Sequence, residues 1–226
     1  MKIATWNVER LKHKDALDRI VLLCSQLDAD ILVLTENDQQ IVLDYPHCIH
    51  TPIPKSCVLP GGRGVLHYRP TEHRVSIFSK YPCVRHYKTF DPYTALCVEL
   101  KTEKENLVVY GTVIGILGNR DKSFLHDLQK QISDFDRLAK EGKNLCVCGD
   151  FNCSFGDNYY FTQVGRSLLQ ESFQKNQMRL LTKNVPYCVD HIAISSRFVS
   201  KEHIQIQEWN HNKSLSDHKG VAVSFV

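Results

Sequence analysis

Five polar segments in this chain stand at the ends of apolar runs, where a buried strand can present a side chain to a cleft. Asn7 follows Ile3-Ala-Thr-Trp6, and Glu36 follows Ile31-Leu-Val-Leu-Thr35. Gly149-Asp150-Phe151-Asn152 follows Leu145-Cys-Val-Cys148, Asp190-His191 precedes Ile192-Ala-Ile194, and Ser216-Asp217-His218 precedes Val221-Ala-Val223. Collected at one end of a sandwich, Glu36, Asp150, Asp190 and Asp217 would place several acids in one pocket, an arrangement that repels itself unless a cation occupies it. Oxygen donors suit a hard divalent ion, Mg²⁺ or Mn²⁺, better than zinc. Mg²⁺ commonly uses one or two carboxylates and fills its other positions with water and substrate phosphate.

Positioning such groups requires strands, and the chain is rich in them. Runs of Val, Ile, Leu and aromatic residues predict strands over 3–8, 31–35, 64–68, 74–79, 95–100, 107–114, 145–148, 191–195, 204–209 and 221–226. Two stretches switch to helical spacing: Leu17, Ile20, Val21, Cys24 and Leu27 form one apolar stripe, and Phe124, Leu128, Ile132, Phe135 and Leu138 form another. Each leads into a strand, as expected where a helix packs on a sheet and returns to it. The pattern predicts an α/β (α+β) fold, a two-sheet sandwich with helices outside. No repeat, low-complexity tract or Pro/Gly/Ser linker divides residues 1–226, which are expected to form one domain. Tyr45 to Gly62 contains Pro46, Pro52, Pro54 and Pro60 and ends in Gly61-Gly62, which predicts an irregular loop.

The 226 residues are 42% hydrophobic and 23% charged, enough to bury a substantial core and too apolar for overall disorder. A net charge of +3 excludes a strongly cationic nucleic-acid coat but permits a narrow basic groove. The nine cysteines, odd in number and scattered, do not form the pattern of a disulfide framework. Asn7, Glu9 and Arg10 interrupt the N-terminal region before a secretory apolar stretch can form. Apolar runs such as Ile31 to Leu34 fall far short of the ~20 residues a membrane helix needs. The expectation is a soluble, reduced, cytoplasmic protein.

Taken in order, the five polar segments resemble those of the endonuclease/exonuclease/phosphatase superfamily, the deoxyribonuclease-like and apurinic-endonuclease-like metal phosphoesterases. The resemblance runs from Trp6-Asn7 to Ser216-Asp217-His218. Val75-Ser-Ile-Phe-Ser-Lys-Tyr-Pro82 is similar to the family's strand and turn ending in Ser-x-Tyr-Pro, and Val189-Asp-His-Ile-Ala-Ile-Ser195 to its Asp-x-Ile strand. Each motif alone arises by chance in many proteins; order and spacing carry the resemblance. It implies a four-layer sandwich, two mixed β-sheets packed face to face with helices on the outside.

The resemblance also implies roles. Glu36 is the main metal ligand, Asn7 helps arrange the metal and phosphate end of the pocket, and Asp217 serves the metal through water. Asp150 orients or deprotonates the attacking water, and Asn152 donates to a phosphoryl oxygen. His218 donates to the charge developing on phosphorus, while Asp190 fixes its ring and keeps it protonated. The implied reaction is in-line attack of water on a phosphate ester with Mg²⁺ or Mn²⁺.

Two positions depart from the family pattern. Thr35 stands where many relatives carry Gln before the metal-binding Glu, which leaves the ligand intact. Val113, in Val109-Tyr-Gly-Thr-Val-Ile114, stands where His or Tyr is usual. Tyr110 in a shifted register, or Arg120 just after the strand, is the candidate to contact the phosphate instead.

Taken singly, Asn7, Asp150 and Asp190 read as caps, Glu36 as a solvated acid and Asp217-His218 as a surface pair. Cys146, Cys148 and Cys153 offer a zinc alternative, but no fourth ligand sits at zinc-finger spacing. Asn158-Tyr-Tyr-Phe161 either stacks on a substrate base or forms the packing face of a short helix. Three functions remain open: a nuclease or phosphodiesterase acting on nucleic acid, which the resemblance favours; a phosphoesterase for a nucleotide or phosphorylated head group; and a silent binding protein of the same fold. The expected partner is the phosphate-ester substrate, with no membrane, and the chain is expected to be a monomer.

Overall fold

Alternating apolar positions pair into two six-stranded sheets in the computed structural model of the chain, which describes residues 1–13, 15–59, 64–200 and 202–225. The first sheet has the order β13 (Ile204–Trp209), β14 (Gly220–Phe225), β1 (Lys2–Asn7), β2 (Ile31–Asp38), β6 (Glu72–Ser79), β3 (His47–His50). The second has the order β11 (Met178–Leu180), β12 (Asp190–Ser195), β10 (Leu145–Asp150), β9 (Asn106–Val113), β8 (Ala95–Lys101), β7 (Cys83–Tyr87). A separate hairpin pairs β4 (Cys57–Val58) with β5 (Val65–Leu66). Parallel strands need a crossover, and helices provide it. The chain passes from β1 to its parallel neighbour β2 through α1 (Leu17–Leu27), and from β9 to β10 through α2 (Phe124–Lys140).

Period-two alternation divides the apolar side chains into three layers. Ile3, Val33, Val75 and Ile77 of the first sheet meet Val109, Cys146, Cys148, Ile192 and Ile194 of the second in the core between them. Trp6, Leu32, Leu34 and Phe78 face outward under Ile20, Cys24 and Leu27 of α1. On the other side Tyr110, Leu145 and Val147 lie under Leu128 and Phe135 of α2 and Leu169 and Phe173 of α3 (Gln163–Lys175). Each fully buried side chain of this size contributes about 1.5–3 kcal/mol relative to exposure. The result is the four-layer sandwich that the resemblance implied.

Several elements differ from expectation. Residues 45–62 include β3, which joins the sheet edge with His47 opposite Ser79, and β4; Pro60, Gly61 and Gly62 lie outside the described residues. Strands β7 and β11 and helix α3 also add to the predicted set. The zinc alternative fails on layering. Cys146 and Cys148 pack between the sheets, whereas Cys153 packs in the outer core under α2 and α3, and all nine cysteines are free. Among the described residues no helix is long and apolar enough to cross a membrane.

Candidate active site

The parallel strands β1 and β2 end at one edge of the first sheet, where Asn7 and Glu36 stand, and β10 ends at the matching edge of the second with Asp150. Asn7 Nδ2 joins the two sheets by donating to Asp150 Oδ2 at 3.1 Å. Antiparallel pairing brings the start of β12 to the same place, with Asp190 directly opposite Asp150. His218 arrives from the segment entering β14, antiparallel to β1. That segment is fastened to β1: Ser216 Oγ donates to the Asn7 carbonyl at 2.6 Å, and Trp6 Nε1 donates to the His218 carbonyl at 3.1 Å.

Local backbone geometry aims two of the acids. Glu36 takes φ 48° between the pairs Thr35–Val75 and Asn37–His73, a left-handed conformation inside a strand that turns its side chain out of the pleat sequence. Gly149 takes φ 137°, and a Cβ there would lie 2.0 Å from the Thr112 carbonyl oxygen. This residue lets β10 run close against β9 immediately before Asp150. Gly149→Ala is therefore expected to cost at least about 2 kcal/mol and to displace Asp150, lowering activity as well as melting temperature. An alanine variant with wild-type melting and turnover would contradict that role.

The side chains form one buried network. Asp150 is 2% exposed; its Oδ1 accepts from the Asn152 N–H at 2.8 Å. Burial pushes its carboxyl up to about 7, the His218 cation opposes the rise, and Asp190 and Glu36 add to it. Asp190 is fully buried, and its Oδ2 accepts from His218 Nδ1 at 2.6 Å, while among the described residues its Oδ1 has no partner. Burial lowers the His218 pKa, but attraction to Asp190 and Asp150 and the hydrogen bond to Asp190 outweigh it and lift the ring to about 10. His218 is thus an imidazolium at neutral pH, with Nε2 3.5 Å from Asp217 Oδ1. Burial also raises Glu36, against His218, Lys12, Arg74 and Arg10.

Ligand-type atoms of Asp150, Asp190 and His218 lie within 4.8 Å of one another. A protonated ring bound through Nδ1 to Asp190 is a poor metal ligand, which leaves oxygen donors. The unpartnered Asp190 Oδ1 and the Glu36 carboxylate, which makes no hydrogen bond among the described residues, fit a hard divalent cation by donor type. Glu36 stands outside the three-residue group but acts electrostatically on Asp150 and His218.

Other expected residues take places of their own. Asn7 is buried, and its Oδ1 already accepts from the Glu9 N–H at 2.8 Å, so the structure places it as a brace for Asp150. Asn152 Nδ2 donates to the carbonyls of Ile114 at 3.0 Å and Gly115 at 3.2 Å, which engages the hydrogens a phosphoryl contact would use. Asp217 is exposed, its N–H donating to Glu9 Oε2 at 2.9 Å. Tyr110 is not brought to the site: it is fully buried, its hydroxyl donates to Asp134 at 3.0 Å, and its ring packs against Phe135 in the outer core. Val113 is buried in the inter-sheet core beside Asp150. Arg120 is exposed next to Asn119, whose side chain donates to the Asn152 carbonyl at 2.8 Å.

A cleft of about 280 Å³ opens beside His218, lined by Asn152, Tyr159, Tyr160, Tyr187 and Lys213 among others. Tyr159 lies in a loop, not a helix, and meets Tyr187 edge to face at 5.7 Å; Lys213 Nζ lies 4.4 Å from the Tyr159 ring. Sequence reasoning missed Glu9, Tyr187 and Lys213. Only the position of Tyr187, three residues before Asp190, hinted at a place in the site.

Two mixed sheets with acids, an amide and an imidazolium at one edge define a class of scaffold. The chain belongs to the endonuclease/exonuclease/phosphatase family, whose profile its residues 4–218 match, and members of that family are hydrolases that include nucleases and phosphatases. No curated protein matches it in sequence. Among solved structures it is similar to a substituted form of the 3′ phosphatase NExo from Neisseria bound to product DNA hairpin, at 17% identity and TM-score 0.69, covering 100% of this chain and 99% of that one. It is also similar to an AP endonuclease from Archaeoglobus fulgidus, at 13% identity and TM-score 0.68, with 100% and 99% covered. A third likeness is to a mutant beta toxin from Staphylococcus aureus with bound magnesium ions, at 14% identity and TM-score 0.60, with 98% of each chain covered.

Proposed function

We propose that this chain is a divalent-metal-dependent phosphodiesterase that hydrolyses nucleic acid by in-line attack of water. The observation that carries the reading is the Asp150–Asp190–His218 group, with one acid held near neutrality and the ring held charged by the other. Asp150, braced by Asn7 and by the Asn152 N–H, accepts a proton from water, for which a pKa near 7 is well matched. His218, oriented through Nδ1 by Asp190, presents Nε2–H to a phosphoryl oxygen as negative charge grows there. A hard cation held by Glu36 and neighbouring oxygen donors would supply Lewis-acid stabilisation of the phosphoryl oxygens. The tyrosine-lined cleft offers ring faces to a base, which favours a nucleoside-bearing substrate over a simple phosphorylated head group. The DNA bound to the Neisseria relative supports the same reading.

The test is a panel of duplex DNA, abasic DNA, single strands, RNA and small phosphate esters with Mg²⁺, Mn²⁺ or chelator. Turnover of a nucleic acid with Mg²⁺ or Mn²⁺, and its loss in excess chelator, is expected. Full turnover by a metal-free preparation refutes the metal requirement. Hydrolysis confined to small esters replaces the nuclease reading with the small-molecule one.

A further inference from the structure

Buried cations normally sit against anions, because an unpaired charge out of water is costly. Near Glu36 two partly or largely exposed arginines have acidic partners, and among the described residues the buried third does not. Arg10 pairs with Glu72 at 2.9 Å, and Arg69 pairs with Glu72 at 2.8 Å and with Asp38 at 3.1 Å. Arg74 on β6 is only 5% exposed, yet among the described residues it has no ion pair, and its one side-chain hydrogen bond goes to Tyr68 Oη. Two guanidiniums lie against the Tyr68 ring, with Cζ of Arg10 at 4.6 Å and Cζ of Arg74 at 4.7 Å from its centroid. Arg10 is held in turn by Glu72 and by the His67 carbonyl at 2.6 Å. The stack presents a fixed planar cation with most of its N–H groups uncommitted, the kind of fork that suits phosphate oxygens.

Its place in the sheet says which phosphate. Arg74 lies between Val75 and His73, the partners of Thr35 and Asn37, and so faces Glu36 across one strand spacing. His218 enters β14, which stands three strands from β6 in the order β14, β1, β2, β6, roughly 14 Å at the usual spacing. The backbones that carry Arg74 and His218 thus lie on either side of the strand that carries Glu36, which leaves room for a second phosphate beside the one at His218.

We propose that Arg74, positioned by Tyr68 and Arg10, binds the phosphate adjacent to the scissile one, so that the substrate is a strand carrying at least two consecutive phosphodiesters. This rests on the phosphodiesterase reading for its hydrolytic arm, and the binding arm stands apart from it.

The experiment compares wild type with Arg74→Ala, Arg74→Lys and Tyr68→Phe. One arm measures binding of a fluorescein-labelled single-stranded oligodeoxynucleotide by anisotropy, without divalent cations, over a range of salt. The other measures kcat/KM on a trinucleotide, with two phosphodiesters, and on a dinucleoside monophosphate, with one. Arg74→Ala is expected to weaken oligonucleotide binding about tenfold and to reduce the salt slope by about 1. It should lower kcat/KM on the trinucleotide about tenfold while changing the single-phosphate substrate less than about twofold. Arg74→Lys and Tyr68→Phe, which keep the charge, should fall between, and they decide the matter if the alanine variant does not fold.

Equal losses on both substrates, or no change in binding, overturn the assignment. A wild-type protein that binds the oligonucleotide and cleaves nothing defeats the hydrolytic reading, and the binding arm then decides on Arg74 alone. A wild-type protein that does not bind it defeats the Arg74 proposal.

Discussion

Replacing His218 with alanine is expected to lower kcat by roughly 10²- to 10⁴-fold, the range for a positioned acid, base or charge stabiliser. The ring is largely buried, and its 2.6 Å hydrogen bond to the fully buried Asp190 fixes both its direction and its charge. Asp190→Asn keeps the size of that group but removes its negative charge, and should forfeit a large part of the same factor. The two residues form one device, so the double variant should be little worse than His218→Ala alone. Steady-state kinetics on the best substrate of the panel, with circular dichroism to confirm folding, decides the point. Multiplicative losses would show Asp190 acting separately, as a metal ligand through its free Oδ1. Near-normal kcat in His218→Ala would remove the imidazolium from the mechanism.

In the absence of divalent ions the protein should lose stability as pH rises from about 6.5 to about 10; below that window buried His191 and half-buried His50, lowered to about 4, gain stability with pH and oppose Asp150. Asp150 is lifted from 3.8 to about 7, so between those values the folded protein keeps a proton that the unfolded chain has released, and folding weakens as pH rises. His218 is lifted from 6.5 to about 10; its stabilisation is complete below 6.5 and disappears as pH climbs through the folded value. The signs agree. A three-unit shift corresponds to about 4 kcal/mol, and because the two groups attract each other the total is of that order, less than two independent contributions. A divalent cation competes with the proton on the carboxylates, so stabilisation by Mg²⁺ should be small at pH 5 and grow toward pH 8. Thermal melts across pH, with chelator or with Mg²⁺, measure both effects. A melting temperature that rises from pH 7 to 9 in chelator would contradict the raised values of Asp150 and His218, and equal Mg²⁺ stabilisation at pH 5 and pH 8 would place the ion away from Asp150.

The sequence disclosed the central strands because their apolar runs are long and uninterrupted, as at Ile31 to Leu34 and Leu145 to Cys148. The candidate residues Asn7, Glu36, Asp150, Asp190 and His218 stood out because each adjoins such a run. The edge strands β3 and β7 were hidden, since they bury only part of their length and carry polar residues such as His47, His50, Arg85 and His86. Helix α3 was hidden for a related reason: its buried positions include Gly165 and Ser172, whose contribution comes from letting neighbours approach. The Phe124 ring packs within 2.7 Å of where a Cβ on Gly165 would lie. Tyr110 was misplaced because its candidacy rested on a shifted register. Strand parity directs its side chain to the outer core, beside Phe135, and not to the cleft. The Arg10–Tyr68–Arg74 stack joins residues from three separate segments, and no local pattern announces such a meeting.

The central position of β14 has a temporal meaning. This strand lies directly against β1, and the Met1 amino group donates to the Phe225 carbonyl, 224 positions along the chain. Such distant pairings form slowly, and during synthesis they wait until β14 itself has been made. His218 lies just ahead of that strand. A partly made chain therefore carries Asn7, Glu36 and Asp150 without the imidazolium, and the centre is completed late, when β14 inserts between β13 and β1.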